Sequence, residues 1–351
     1  MRQITELPLH GGRAPKWLFH RMVRLSRAIS LVIIDDFGAD ELARRLSDTN
    51  WFQALSCAIG YDWHSSGTTT VTVGALKEAL NDTGEIFVAG GKGKAGTNTP
   101  NDIREGTGVL GITNSEASLV ETSRLSAKID SSLVYDNIGI YQHSLIFTKT
   151  GKWSVVQQAI DSKRDTAIRF QWWCDAVTKK DIANEPHTGI STDLRSVSMD
   201  LTAEQNAEVR NFSVNAVEDY AKAIKYPDRH KILADIDLTK RGREALGRAS
   251  ELEPRDYREL LLVKGVGRST LRSLALISSL VYGKEIAYRD PITYAYNVGG
   301  KDGIPFPVDK RTYDSVCESL EDIIDKARID RDEKYHVLRR LNAHVSGGVL
   351  T

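Results

Sequence analysis

The stretch Glu253-Pro254-Arg255-Asp256-Tyr257-Arg258-Glu259-Leu260-Leu261-Leu262-Val263-Lys264-Gly265-Val266-Gly267-Arg268-Ser269-Thr270-Leu271-Arg272 governs how the rest of the chain is read. Leu260, Leu261 and Val263 give the first half an apolar side, and Pro254 suits a first helical turn, so a helix is expected over 253–263. A second helix is expected from Arg268 to about Val281, with Gly283 just past its end where glycine commonly terminates helices. Between them, Gly265 and Gly267 are both expected to supply positive φ and close backbone approach. Val266 between them reads as an apolar plug. The N–H groups of this turn and of the second helix's first turn then converge on one point, at the positive end of a helix dipole. A phosphate oxygen fits there. Lys264, Arg268, Ser269 and Thr270 are expected to add contacts. Such contacts hold a nucleic-acid backbone and read no bases, so RNA would serve as well as DNA. The plainer reading is a glycine-rich turn between two packed helices.

The pattern Leu-x-x-x-Gly-Val-Gly-x-x-Thr-Leu, opening a long apolar helix, resembles the helix-hairpin-helix motif of repair glycosylases, nucleases and ligases. The resemblance covers about thirty residues, and it implies sequence-independent DNA binding in repair or processing. The chain as a whole resembles an archaeal and bacterial family classed as a domain of unknown function. That resemblance rests on Leu7-Pro8-Leu9-His10-Gly11-Gly12, Trp63-His64-Ser65-Ser66-Gly67, Gly90-Gly91-Lys92-Gly93-Lys94, Glu185-Pro186-His187 and Gly299-Gly300-Lys301-Asp302-Gly303. It spans nearly all residues and brings no activity with it.

Working outward from the hairpin, the back of the chain is nearly all helical pattern. Apolar residues recur at helical period over 203–224, and Thr202 with Gln205 resembles a capping box. Asn184 to Ser196 is polar and turn-rich and reads as a linker or long surface loop. The front is mixed. Helices are expected over 14–34, 39–47, 51–59 and 71–80, then a short buried strand over 85–89. Thr99-Pro100 reads as a helix start. Two strands, 138–147 and 153–158, are joined at Thr148-Lys149-Thr150-Gly151. The fold class is therefore α+β. A mixed α/β domain over 1–200, the candidate catalytic part, is followed by an all-α helix-hairpin-helix domain over 201–351.

Composition narrows the class further. A length of 351 residues allows two domains, and 41% hydrophobic with 27% charged residues is that of a globular protein. No apolar run approaches the roughly twenty residues of a membrane span, and no secretory pattern is present, so a cytoplasmic protein is expected. Cys57, Cys174 and Cys317 lie far apart without metal-ligand spacing. The 47 basic and 47 acidic residues cancel, but Arg2, Arg13, Lys16, Arg21, Arg24 and Arg27 face only Glu6 in the first thirty positions. Cations collected on one face can bind a polyanion even in a neutral protein.

Three functional readings stay open. In the first, the front domain is a metal-dependent nuclease. Carboxylates from Asp62, Asp130 and Glu185 would hold Mg²⁺ or Mn²⁺, with His64, His143 and His187 available for proton transfer. His143, Gln157 and Gln158 are polar groups on strands that otherwise look buried, which is costly unless they are satisfied. In the second, the chain is a base-excision glycosylase using Asp290 or a front-domain acid. Ser269 stands where bifunctional members carry a Schiff-base lysine, so a lyase would need another lysine, such as Lys92 or Lys94. In the third, the chain is a DNA-binding adaptor that recruits a repair partner. The Gly90-Gly91-Lys92-Gly93-Lys94 loop lacks the Gly-Lys-Ser/Thr ending of a Walker loop, so no nucleotide cofactor is expected. Lys92 and Lys94 are read instead as basic contacts to DNA. The catalytic groups are expected to converge in one cleft facing residues 264–268.

Overall fold

The computed structural model describes residues 15–61, 67–135, 138–161, 166–177, 181–192, 197–225, 240–291, 318, 320–327 and 329–345. Its centre is one antiparallel sheet of five strands in sequential order. These are β1 (Ile86–Lys92), β2 (Ile138–Thr148), β3 (Trp153–Asp161), β4 (Thr166–Trp173) and β5 (His187–Ser191). Both faces of the sheet are covered, so its strands are apolar on alternate and on adjacent positions alike. Phe87, Ala89, Leu145, Phe147, Val155 and Trp172 join one apolar cluster. Ile86, Val88, Ile146 and Val156, one residue out of phase, join another.

The second cluster is closed by α1 (Lys16–Phe37), α2 (Ala39–Leu46), α3 (Thr49–Ala58) and α4 (Gly67–Leu80), with Leu320, Ile323, Ile324 and Val337 packed among them. Val337 belongs to a helix whose bounds are Arg331–Val345. The first cluster is closed by α6 (Thr99–Val109) and α7 (Glu116–Ser132), which follow the single turn α5 (Lys94–Thr97). It continues without a break into α8 (Ala207–Lys225), α9 (Lys240–Leu252), α10 (Tyr257–Leu262) and α11 (Arg268–Tyr282). The molecule is thus a mixed α+β protein in which a single sheet lies between two helical layers. No described helix is long and apolar enough to cross a membrane.

Two expectations change here. The span 184–196 is not simply a linker, because His187–Ser191 pairs with β4 as the fifth strand. Thr202 does not cap α8 through a box with Gln205. Its hydroxyl donates to Asp200 at 2.6 Å instead. Part of the N-terminal basic cluster is also committed to protein partners. Arg24 pairs with Glu333 at 2.5 Å and Arg27 with Asp82 at 2.5 Å, while Arg2 and Arg13 lie outside the described residues.

The approach of α6 to the sheet depends on one glycine. A Cβ at Gly106 would lie 2.4 Å from the Phe87 ring and 2.7 Å from the Phe147 ring, whereas at Gly108 it would meet nothing within 4 Å. Gly106→Ala should therefore destabilise the fold by about 1–3 kcal/mol through overpacking. Gly108→Ala should stabilise it by up to about 1 kcal/mol through helix propensity. Paired thermal or urea melts check both signs.

Candidate functional site: the 263–269 turn and the helix that carries it

Helix α10 starts at Asp256, whose carboxylate accepts from the Glu259 N–H at 2.8 Å. An N-cap of this kind takes precedence over Pro254, so the helix begins later than the sequence suggested. The chain leaves the helix at Val263 and turns through Gly265 at φ +92°. A Cβ there would stand 2.5 Å from Arg248 Nη2. Gly267 differs. It is extended (φ −141°) and acts as the N-cap of α11, and a Cβ on it would meet only the Gly265 carbonyl, at 3.9 Å. Only Gly265 therefore needs glycine's backbone freedom, and Gly267 keeps the space in front of the helix clear. Because Gly267 has no side chain, no capping group occupies that space. Val266 is fully buried in the cluster with Ala245, Leu246, Leu260, Leu271 and Leu274.

The flanking side chains divide. Lys264 and Ser269 are exposed. Thr270 is buried. Arg268 turns inward as well. Its Nε and Nη2 donate to the Ser131 carbonyl at 3.0 and 2.7 Å, and Nη2 also reaches the Ile138 carbonyl. The Lys128 ammonium donates to the Val266 carbonyl, and burial holds that amine below the ordinary lysine range. Arg248 Nε donates to the Lys264 carbonyl at 3.0 Å. Two cations thus hold the turn by its carbonyls, Lys128 at Val266 and Arg248 at Lys264, while Arg268 ties it to the carbonyls of Ser131 and Ile138.

Lys128 and Ser131 lie on α7, and the other edge of that helix carries the buried chemistry. Asp130 is fully buried. His187 Nε2 is 2.6 Å from its Oδ1, while Trp172 Nε1 (3.1 Å) and the Gln157 amide donate to Oδ2. Gln157 pairs in register with His143, and its Oε1 lies 2.9 Å from His143 Nδ1. His143 Nε2 in turn lies 2.7 Å from Ser123 Oγ, one further side chain of α7. Asp130, His143 and His187 therefore converge, joined through Gln157. They form a closed, hydrogen-bonded chain inside the protein and not the open cleft expected of them. The reason is that α7 packs directly on β2 and β3, and a buried polar group must find partners there.

The chain has a direction. Trp172 N–H can only donate, so Asp130 Oδ2 accepts, and the Gln157 NH₂ beside it donates. Gln157 Oε1 must then accept from His143 Nδ1–H, which leaves a lone pair on Nε2 for the Ser123 hydroxyl proton. Burial drives the His143 pKa down to about 4, and the imidazole is neutral at pH 7. Burial pushes the Asp130 carboxyl up, against the opposing pull of His187 and Trp172. One strand face away, Gln142, Gln158, Arg169 and Ser191 stand side by side in register and buried, with Arg169 4.8 Å over the Phe52 ring.

The remaining candidates are not part of this chain of bonds. Glu185 is exposed at φ +44° and pairs with Arg289 at 2.6 Å. Asp290 is half-buried beside Arg289, which bridges to Ser198. Lys92 is exposed, 5.9 Å over the Tyr141 ring, and Lys94 is exposed at the start of α5. Asp62 and His64 lie outside the described residues. Among the described residues no three His, Cys, Asp or Glu side chains gather in a metal-holding group. Ser123 and Trp172 carry no distinguishing sequence signal, and that of Gln157 is only a polar residue in an apolar strand.

Such a fold and site define a mixed α+β protein with a buried Ser-His-Gln-Asp-His chain behind a glycine turn. The chain belongs to the family described as "Protein of unknown function (DUF763)", whose pattern it matches over residues 3–308. No curated protein and no solved structure matches it.

Keeping His143 neutral has a pH signature. Its folded pKa lies below the 6.5 of an ordinary histidine, so its contribution to stability is fully present above pH 6.5. That contribution, about 3 kcal/mol, is lost as pH falls towards 4. In an NMR titration the His143 ring resonances should move near pH 4, and movement near 6.5 would contradict its burial.

Proposed function

We propose that this chain binds the phosphate backbone of nucleic acid, DNA in the first place, without reading sequence, as part of DNA processing. The observation that carries the reading is the uncapped start of α11. Gly267 offers backbone and empty space in front of it, the Lys264 and Ser269 side chains are exposed beside it, and the Lys264 and Val266 carbonyls are taken up by Arg248 and Lys128. N–H groups gathered at the positive end of a fifteen-residue helix, with a cation alongside, are a phosphate-oxygen site. The resemblance to the helix-hairpin-helix motif supports the same reading. The exposed Lys92 and Lys94 add cationic surface.

The two glycines give the test its resolution. Gly267→Ala should leave the melting temperature unchanged, because the added methyl makes only an ordinary contact, 3.9 Å from the Gly265 carbonyl. It should nevertheless weaken binding to a labelled oligonucleotide at least tenfold, about 1.4 kcal/mol, by occupying the place of a phosphate oxygen. Gly265→Ala should lower stability as well, since it forces a left-handed residue against Arg248. Affinity should fall steeply with salt and be nearly the same for unrelated sequences. Gly267→Ala binding as tightly as the native chain in fluorescence anisotropy would remove the turn from the interface.

A further inference from the structure

The buried chain next to this turn has the layout of an activated nucleophile. A hydroxyl, a neutral imidazole and an orienting group stand in sequence: Ser123 Oγ to His143 Nε2 at 2.7 Å, then His143 Nδ1 to Gln157 Oε1 at 2.9 Å. The Gln157 amide is itself held by Asp130. The fixed tautomer leaves Nε2 as the acceptor, which is the form required of a general base. A purely structural serine in a helix can satisfy its hydroxyl on the carbonyl one turn back, as Ser126 does on Ser123 O and Ser278 on Leu274 O. Ser123 instead gives its proton to a side chain from another element.

The single turn α5 has no buried residue of its own and rests on β2 beside His143. A Cβ on Gly96 would lie 3.6 Å from the His143 Cβ. The chain enters α5 through Gly90, Gly91 and Gly93, at φ +90°, +142° and +60°. Ser123 is only 3% exposed, so access to it requires α5 and the end of β1 to part from β2, where Gly91 pairs with His143 and the Gly93 N–H donates to the Tyr141 carbonyl at 2.7 Å. That movement carries Lys92 and Lys94, both exposed, at its leading edge. The 263–269 turn packs on the same helix. Lys128, which holds the Val266 carbonyl, is five positions along α7 from Ser123, roughly 7.5 Å of rise and on the other edge of the helix.

We propose that Ser123 is the nucleophile of a phosphodiester transfer, with His143 as its general base, acting on a nucleic-acid strand docked at the 263–269 turn. The choice of substrate rests on the binding function proposed above. In the step, the Ser123 Oγ–P bond forms as the bond from phosphorus to the leaving sugar oxygen breaks. The hydroxyl proton passes to His143 Nε2, while the leaving oxygen, opposite Ser123 across phosphorus, takes a proton from water and the imidazolium returns its own to solvent. The products are a serine-linked phosphodiester and a free sugar hydroxyl, and attack by that hydroxyl or by water releases the enzyme. No redox partner is consumed. Lys92 and Lys94 offset charge on the non-bridging oxygens.

The experiment uses the full-length chain and two probes. The first is a labelled oligonucleotide with one bridging sulfur in place of the leaving oxygen, so that the released thiol cannot reverse the step. The expected result is an SDS-stable adduct mapped by mass spectrometry to Ser123. It should be absent in Ser123→Ala and at least 100-fold slower in His143→Gln. The second is a fluorophosphonate, which reports an activated serine without any need for nucleic-acid binding. Ser123→Cys covers the case in which the alanine variant misfolds, and its thiol should be alkylated by iodoacetamide faster than Cys57. A native chain that binds the oligonucleotide yet forms no adduct overturns the proposal, as does an adduct mapped elsewhere. Fluorophosphonate labelling of Ser123 in a chain that binds no nucleic acid overturns the assigned substrate and the binding reading together, and leaves the nucleophile standing. No labelling by either probe removes the nucleophile.

Discussion

The structure depends most on the way helix α7 is held from both sides by polar contacts. One edge donates Lys128 to the Val266 carbonyl and offers the Ser131 carbonyl to Arg268. The other edge inserts Asp130 between His187, Trp172 and Gln157, and Ser123 against His143. Apolar packing tolerates small rotations of a helix, whereas directional bonds on opposite edges do not. The turn at 263–269 and the sheet are thereby fixed relative to each other through a single rod. Each bond contributes only about 1 kcal/mol net. Leaving any one partner buried and unpaired costs more than that, and this asymmetry holds the set together.

Much of the fold could be read in the sequence, and the parts that could not have physical reasons. Long apolar periodicity revealed α1 to α4 and α11, and alternation around Thr148–Gly151 revealed β2 and β3. His143 and Gln157 stand out there as polar groups in apolar strands, and the short hairpin loop sets the register that pairs them. Helix α7 escaped notice because Ser118, Ser123, Ser126, Ser131 and Ser132 blur its apolar stripe and lower its propensity. Strand β5 looked like a linker because Asn184, Pro186 and Gly189 are turn residues. It exists because β4 offers an unpaired edge.

The candidate site shows the same division. The glycine turn and its buried valine are local, and local pattern was enough to find them. The inward path of Arg268 was hidden, since its acceptors are the Ser131 and Ile138 carbonyls, more than 120 positions away. Asp130 and His187 were singled out separately, as possible metal and proton-transfer groups. That they bond to each other is a tertiary fact, set by the docking of β5 beside Trp172.

The sequential strand order bears on how the molecule assembles. Strands β2, β3 and β4 are joined by connections of a few residues, so their pairing closes small loops and costs little chain entropy. The pairing of β1 with β2 is another matter, because α5, α6 and α7 all intervene. The Ser123–His143 bond needs α7 in place, and the His187–Asp130 bond needs β5 as well. Closing long loops costs more chain entropy than closing short ones. The polar chain therefore requires more of the molecule to be assembled than the hairpins that flank it do. Its serine, imidazole and carboxylate meet only where α7, β2 and β5 are all docked on one another.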